Sequence, residues 1–194
     1  MLLSHAIHVD EEERALLAER GVCVVSSPVA ELKLADGIAP IVDYLERGIV
    51  VALGTDCAVC NNSSDLFLEM RQVGLVQKFR YGADAMPAEQ ILRMATRYGA
   101  RALGDDQYGV IEVGRAADLI LVDANNARLQ PLVHRSDFSN LAANLVYAAT
   151  GQDVTDVMID GRWTMRERRL LPLDAEGVWE ELGRAATALY DRIL

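Results

Sequence analysis

The sequence predicts an α/β fold followed by a smaller antiparallel β unit. In the first half, short apolar runs alternate with segments of helical length, a pattern typical of parallel strands joined by helical crossovers. Residues 49–53 are apolar at every position, as in a strand that is covered on both faces. In the second half, Asp160-Gly161 separates two β-rich runs and predicts a hairpin with a type I′ turn.

The composition indicates a globular protein and argues against several functional classes. The 194 residues are 51% hydrophobic and 25% charged, which is typical of a globular chain with a sizeable core. The net charge of −10 argues against sequence-independent nucleic-acid binding and against docking on an anionic membrane surface. No apolar run approaches the roughly 20 residues of a membrane span. Three cysteines without an export signal favour a reducing, cytoplasmic context.

The elements of the first half follow from apolar runs and from their stop signals. Asp10 is a candidate N-cap for the first helix, and Gly21, Gly48 and Gly104 are candidate helix ends. Strands are expected at residues 2–4, 22–25 and 49–53. Helices are expected at residues 10–20, 38–47, 64–79 and 87–103.

The second half has a different pattern, with short strands and few helices. Strands are expected at residues 110–113, 119–122, 157–159 and 162–165. A small helix is expected within residues 139–150. The last segment, residues 174–194, carries one apolar stripe at helical spacing and predicts an amphipathic helix.

Asp56 is a candidate functional residue because it follows the buried strand at 49–53. Carboxylates just beyond the end of a parallel strand are where α/β sheets and barrels place their sites. Asn61 and Asn62 offer side-chain amides close by. The alternative is that Asp56 only caps the turn or the next helix, and the local pattern leaves both interpretations open.

The histidines and cysteines allow several interpretations. His5 ends the first strand and could be a ligand, an acid–base group or a donor to an oxyanion, or it could be a structural histidine. For His8 and His134 we favour structural or solvated positions. Cys57 and Cys60 have redox or zinc spacing, but zinc prefers four ligands and only one further cysteine exists. We favour incidental loop cysteines, with a dithiol redox protein as another hypothesis.

Seven motifs, in order, resemble the C-terminal portion of the amidohydrolase superfamily. They are most similar to its cytosine-deaminase-like branch, which includes methylthioadenosine/adenosylhomocysteine deaminases and s-triazine chlorohydrolases. The motifs lie at residues 4–8, 32–40, 53–56, 61–71, 95–104, 109–119 and 145–161.

The resemblance implies part of a larger fold. Residues 1–108 are expected to supply strands six to eight of a TIM-type (β/α)8 barrel. Residues 109–173 are expected to form part of a small β-sandwich domain, with an inserted helix at about 139–150. Residues 174–194 are expected to form a C-terminal helix.

The resemblance also implies a metal-dependent aminohydrolase that deaminates or dechlorinates a nitrogen heterocycle. Asp56 corresponds to the strand-eight aspartate, a ligand of zinc or iron and a catalytic group. His5 corresponds to the strand-six histidine, which faces the reacting centre. The chemistry suits these residue types, because a metal lowers the pKa of water and a carboxylate can pass the proton to the leaving nitrogen.

This sequence departs from the family pattern beside the substrate. Where the family usually has His-Asn-Pro-x-Ser-Asn, residues 26–31 read Ser-Ser-Pro-Val-Ala-Glu. Ser27 and Glu31, together with Asn61, are therefore predicted to contact a small heterocycle other than a purine nucleoside. The family often has Gly and Ser at the positions of Cys57 and Cys60.

Most of the expected metal ligands are missing from this sequence. It contains no His-x-His and no histidine before His5, so three of the four ligands must come from elsewhere. We expect the chain to be the C-terminal part of an enzyme, completed by an N-terminal half and oligomeric when complete. Alone, it is expected to be inactive and not to retain metal. The rival hypothesis is a non-catalytic remnant or scaffold subunit, which the DNA upstream of Met1 would distinguish.

Overall fold

The computed structural model describes residues 1–193, and their contacts define two compact units. The first unit contains residues 1–116 and 123–153, and the second contains residues 117–122 and the chain from 154 onward. The division of this chain at 1–108, 109–173 and 174–194, predicted from the resemblance, stays a prediction. No helix in the described residues is long and apolar enough to cross a bilayer.

A three-stranded parallel sheet forms the centre of the first unit. The strands β1 (Leu2–Ser4), β2 (Cys23–Ser26) and β3 (Val51–Leu53) are neighbours in chain order. Every residue of β3 is buried, which confirms the strand predicted from its continuous apolar run. The parallel α/β class predicted for this half of the chain is therefore confirmed.

Helices connect and cover these strands. They are α1 (Glu11–Glu19), α2 (Pro28–Lys33), α3 (Ile41–Glu46), α4 (Ala58–Asn61), α5 (Leu66–Tyr81), α6 (Ala88–Ala95), α7 (Arg97–Ala102) and α8 (Leu141–Tyr147). Asp10 caps α1 in a capping box with Glu13, as its position predicted. Helix α3 begins later than predicted because a residue that precedes proline, here Ala39, is disfavoured in helical conformation. Helices α2 and α4 were not predicted.

The single helix predicted at residues 87–103 is two helices, α6 and α7. Thr96 leaves helical geometry with φ −127° and ψ −93°, and its hydroxyl donates to the Leu92 carbonyl at 2.8 Å. The backbone of Gly109 lies against this break, so that a Cβ there would stand 2.7 Å from the Arg97 Cα. A contact between residues so far apart in sequence has no local signal.

The second unit is a four-stranded antiparallel sheet with one long helix. Its strands pair in chain order: β4 (Leu119–Val122), β5 (Val154–Ile159), β6 (Arg162–Arg166) and β7 (Arg169–Leu170). Asp160 and Gly161 both have positive φ, which confirms the predicted hairpin between β5 and β6. The turn before β7 has positive φ at Glu167 and Arg168, which carry no glycine signal, and β7 was missed.

Two predicted segments of the second half have different outcomes. Residues 110–113 form no strand, because they pair with no strand in the described chain and Ile111 and Val113 are fully exposed. The C-terminal helix is confirmed as α9 (Ala175–Ile193), and the predicted last position, Leu194, lies outside the described residues. The apolar stripe of α9 is exposed at Val178 and Leu182.

We predict that Gly109→Ala lowers the free energy of unfolding more than Gly104→Ala. Both glycines have φ of +79°, so an alanine costs about 1–2 kcal/mol at either position. At Gly104 the new Cβ meets open space, whereas at Gly109 it meets the backbone of Thr96 and Arg97. Overpacking of that kind costs about 1–3 kcal/mol more. Urea unfolding of both variants measures the difference, and equal losses would contradict the close approach at Gly109.

Candidate active site

The carboxyl ends of the three parallel strands bring the predicted site residues to one edge of the sheet. His5 directly follows β1, and its backbone N–H donates to the Val25 carbonyl at 2.7 Å. Asp56 lies just beyond β3, after Gly54, whose N–H donates to the Ser26 carbonyl at 2.9 Å. The His5 Nε2 and the Asp56 Oδ2 are 3.8 Å apart. The structure therefore places together the two residues that the sequence predicted as catalytic.

Gly54 allows β2 and β3 to end side by side. A Cβ at this position would lie 2.9 Å from the Val25 Cγ1 and 3.3 Å from the Ser27 hydroxyl. The first distance is closer than real Cβ contacts, so a larger residue would push the two strand ends apart. Gly54 thereby allows the segment that carries Asp56 to leave the sheet next to the end of β2.

The backbone at the site adopts conformations that side chains other than glycine rarely take. His5, Ala6 and Asp56 have φ of +67°, +50° and +58°. Such left-handed residues cost about 1–3 kcal/mol each and persist where the surrounding structure fixes them. Here the buried Tyr44 hydroxyl donates to the Ala6 carbonyl. The turn that carries His5 is thus held by two hydrogen bonds, one from the His5 N–H and one to the Ala6 carbonyl.

Glu31, on α2, is a buried carboxylate behind His5. Its Oε1 accepts from the Ser27 N–H at 2.8 Å, and the Ser26 hydroxyl lies 3.2 Å from both of its oxygens. The His5 Nδ1 is 3.3 Å from the same Oε1. Burial raises the pKa of Glu31, and the hydrogen bonds from Ser27, His5 and Ser26 act against this rise. The predicted contact between Glu31 and substrate stays a prediction.

A second buried carboxylate, Glu69 on α5, ties the site loops together. Its Oε2 accepts from the Val29 N–H at 3.0 Å, and its Oε1 accepts from the Asn61 amide at 2.5 Å. The Asn61 amide also lies 2.6 Å from the Thr55 carbonyl. Burial raises the pKa of Glu69, the Val29 and Asn61 hydrogen bonds lower it, and repulsion from Glu31 and Asp56 raises it further. The sequence singled out Asn61 but not the carboxylate that it binds.

Cys57 and Cys60 lie beside Asp56. Their sulfurs are 2.7 Å apart, and the Cys57 N–H donates to the Asp56 Oδ1 at 2.7 Å. Their hydrogen bond lowers the pKa of the Cys57 thiol and raises the pKa of Cys60 to about 11. Within the described residues, these two thiols and the Asp56 carboxylate have ligand atoms within 4.8 Å of one another. The interpretation of incidental loop cysteines did not anticipate this cluster.

The other two histidines lie elsewhere. The His8 Nε2 is 2.8 Å from the Asp36 carbonyl, and the His134 Nδ1 is 3.1 Å from the Ser139 hydroxyl. Both rings therefore have local hydrogen-bond partners, in keeping with the structural interpretation.

The residues at the site fit part of a divalent-metal centre, because they offer one of the several ligands that such a centre needs. The Asp56 side chain is 26% exposed and the His5 side chain 39%, so both are accessible at the open edge of the sheet. A carboxylate oxygen is a suitable ligand for zinc, and catalytic zinc sites use three protein ligands with an open position. The Asp56 carboxylate is of the type that could supply one such ligand, and His5 is the one of the three histidines that lies beside it.

Comparisons with known proteins agree with this geometry. The amidohydrolase family matches residues 1–164. A 5-methylthioadenosine/S-adenosylhomocysteine deaminase from Halobacterium salinarum is 44% identical over 98% of the chain and 43% of its own length. A zinc-bound adenosine deaminase from Xanthomonas campestris has a TM-score of 0.87 at 38% identity, covering 99% of this chain and 42% of that one. A zinc complex of atrazine chlorohydrolase from Arthrobacter aurescens has a TM-score of 0.82 at 29% identity, with coverages of 93% and 39%.

These matches define the class of protein. The chain belongs to the amidohydrolase family, and its fold is part of the barrel architecture of the solved relatives, as the sequence predicted. It spans about two fifths of the length of the relatives that it matches. The resemblance on which the sequence interpretation rested, including its restriction to the C-terminal portion, is confirmed.

We predict that Glu69 makes a contribution to stability that is lost as the pH rises from the ordinary carboxyl range through its raised pKa. In that interval Glu69 is more protonated in the folded state than in the unfolded state, so it lowers the free energy of unfolding as the pH rises. Glu69→Gln removes the titrating group, so in that interval its free energy of unfolding should fall less, or rise more, with pH than that of the parent chain. Urea unfolding at a series of pH values measures both slopes.

The matched control is Glu12→Gln, which removes one exposed carboxyl from α1 in the same unit. If Glu69→Gln and the parent chain have the same slope, burial of Glu69 does not make folding pH-dependent.

Proposed function

We propose that this chain is the C-terminal part of a metal-dependent aminohydrolase. The reaction is the hydrolytic removal of ammonia, or of another leaving group, from an electrophilic carbon of a nitrogen heterocycle. The observation that carries the proposal is the approach of His5 Nε2 to Asp56 Oδ2, at 3.8 Å, where the parallel strands end. Its relatives include two deaminases and a chlorohydrolase, and this supports the same class of reaction.

Asp56 and His5 have different roles in the proposed reaction. When bound through the Asp56 carboxylate, a divalent metal supplies water with a pKa lowered toward neutrality. Asp56 accepts the proton of the attacking water and delivers it to the leaving nitrogen. The carbon–oxygen bond forms as the carbon–nitrogen bond breaks, and ammonia departs. His5 presents its Nε2 to the attacking oxygen, or to the charge that develops there.

The residues that contact substrate are proposed from their positions in the sequence and in the fold. Ser27, Glu31 and Asn61 stay our candidates for substrate contact, although all three are buried against protein groups in this chain. Because residues 26–31 depart from the usual family motif, we propose a heterocycle other than a purine nucleoside.

The partners and location are proposals as well. The N-terminal half of the enzyme is proposed to supply the remaining metal ligands and the strands that flank β1 and β3. The edge strand β1 exposes Leu2 and Leu3, which supports association of this edge with further strands. We also propose that the complete enzyme is a homo-oligomer and that it is cytoplasmic.

We expect the chain alone to hold no stoichiometric metal after dialysis. Asp56 supplies one of the ligands of the proposed centre, whereas catalytic zinc sites use three. Elemental analysis after dialysis against metal-free buffer measures retention. A double variant, Cys57→Ser with Cys60→Ser, is the control for metal held by the thiols beside Asp56. One tightly bound zinc per chain would contradict the expectation, and its loss from the double variant would assign that zinc to the thiols.

In the enzyme assembled with its N-terminal half, Asp56→Asn should abolish turnover and leave the fold intact. An amide cannot accept the proton that the reaction must move. His5→Gln should lower kcat by roughly a hundredfold or more, because it removes a group that acts on the attacking oxygen. Steady-state kinetics with a panel of amino- and chloro-heterocycles measures both effects.

The matched control is Asp84→Asn, which changes an exposed aspartate away from the sheet edge. Its activity should equal that of the parent enzyme. Near-normal turnover in Asp56→Asn would refute the proposed role of Asp56.

A further inference from the structure

We propose that Glu31 is a positioning residue for His5: its carboxylate accepts the hydrogen on Nδ1 and leaves Nε2, which faces Asp56, as the unprotonated nitrogen. The proposal concerns the hydrogen-bonding state of His5, and its consequence for catalysis rests on the proposed function. It departs from the sequence prediction that Glu31 contacts substrate.

The first support is geometric. The two ring nitrogens of His5 face opposite carboxylates, with Nδ1 at 3.3 Å from Glu31 Oε1 and Nε2 at 3.8 Å from Asp56 Oδ2. The first distance is within hydrogen-bond reach and the second is longer than a hydrogen bond. Glu31 is therefore the direct partner of the ring. Which nitrogen of a histidine carries the proton is decided by the hydrogen bond that one of them makes.

The second support is that Glu31 is surrounded by donors. The Ser27 N–H is an obligatory donor and points at Oε1, the oxygen that also faces His5. The Ser26 hydroxyl lies 3.2 Å from both oxygens. Oε1 receives the Ser27 N–H, which can only donate, so the oxygen that faces His5 is an acceptor even though burial raises the pKa of the acid. An accepting Glu31 requires that the His5 Nδ1 donate.

The third support is that the acceptor is fixed in place. The backbone of His5 is held by its hydrogen bond to the Val25 carbonyl, and the next carbonyl, of Ala6, accepts from the Tyr44 hydroxyl. Glu31 is 3% exposed and receives the Ser27 N–H, so its carboxylate stays beside Nδ1 although the His5 side chain is 39% exposed.

The arrangement determines what His5 can do in the reaction. Two acceptors, an unprotonated Nε2 and the Asp56 carboxylate, do not bind each other directly, and a donor between them would satisfy both. The O–H groups of the attacking water are such donors. His5 then orients the water by accepting a hydrogen bond, rather than stabilising negative charge by donating one.

The test reads the protonation of the ring nitrogens directly. The chain is labelled with ¹⁵N-histidine, and its long-range ¹H–¹⁵N correlations are recorded at a pH of about 8, where a free imidazole is neutral. Three histidines are present, and His5→Gln identifies the signals of His5. The parent chain should show a protonated Nδ1 and an unprotonated Nε2. A proton on Nε2 instead would overturn the proposal, and this measurement needs no substitution at Glu31.

Substitutions test whether Glu31 causes that state. Glu31→Leu removes the acceptor and should move the proton to Nε2, whereas Glu31→Gln keeps an acceptor oxygen and should preserve the parent pattern in part. Asp153→Leu is the matched control, because it removes a buried carboxylate whose partners are Thr150 and Arg128 rather than His5 or α2. Loss of the parent pattern in Asp153→Leu, or its full retention in Glu31→Leu, would overturn the proposal.

In the assembled enzyme, Glu31→Leu should lower kcat by about 10- to 100-fold, the usual cost of losing a partner that orients a site histidine, with little change in KM. A rise in KM at constant kcat would instead assign Glu31 to substrate binding and overturn the positioning role. If the assembled enzyme hydrolyses no heterocycle, the proposed function fails, while the nitrogen signals still decide whether Glu31 sets the state of His5.

Discussion

Parallel pairing of three short strands is the constraint on which the rest of the site depends. Parallel strands end at the same edge of a sheet, so residues that follow β1, β2 and β3 become neighbours although long stretches of sequence separate them. Register decides which residues meet. Ser4 pairs with Val25, and Ser26 pairs with Leu53, so the chain leaves the sheet at three adjacent points. A slip of one residue would turn every side chain to the opposite face.

The two buried carboxylates hold the segment that leaves β2. Glu31 binds the Ser27 N–H and Glu69 binds the Val29 N–H, so acids on two different helices hold the start of α2. Burying a carboxylate costs several kcal/mol, and hydrogen bonds from N–H and O–H donors offset part of that cost. The raised pKa values of both acids show that burial exceeds the compensation. Burial of these two acids therefore lowers stability, while their hydrogen bonds fix the loop geometry beside His5 and Asp56.

Local signals predicted much of the fold and little of the network behind the site. The apolar run of β3, the cap at Asp10 and the Asp160-Gly161 turn depend on neighbouring residues, and all three were predicted correctly. The backbone of Gly109 lies against the break at Thr96, and the turn before β7 has no glycine, so neither feature was predicted from local sequence. His5 and Asp56 were found from their place after strands and from family resemblance. The partnership of Glu31 with His5 required the folded structure.

Contacts within the chain hold the backbone at this edge of the sheet. The left-handed His5 donates its N–H to the Val25 carbonyl, and the left-handed Asp56 follows Gly54, which donates to the Ser26 carbonyl and approaches Val25 closely. Groups fixed in advance need no reorganisation when charge develops in the reaction, and this is where electrostatic catalysis gains most. The strain of the left-handed turns is therefore offset by the strand pairing of the sheet and by the main-chain hydrogen bonds at its end. On that basis, the proposed centre is completed by the addition of ligands and strands to an edge whose backbone this chain already holds.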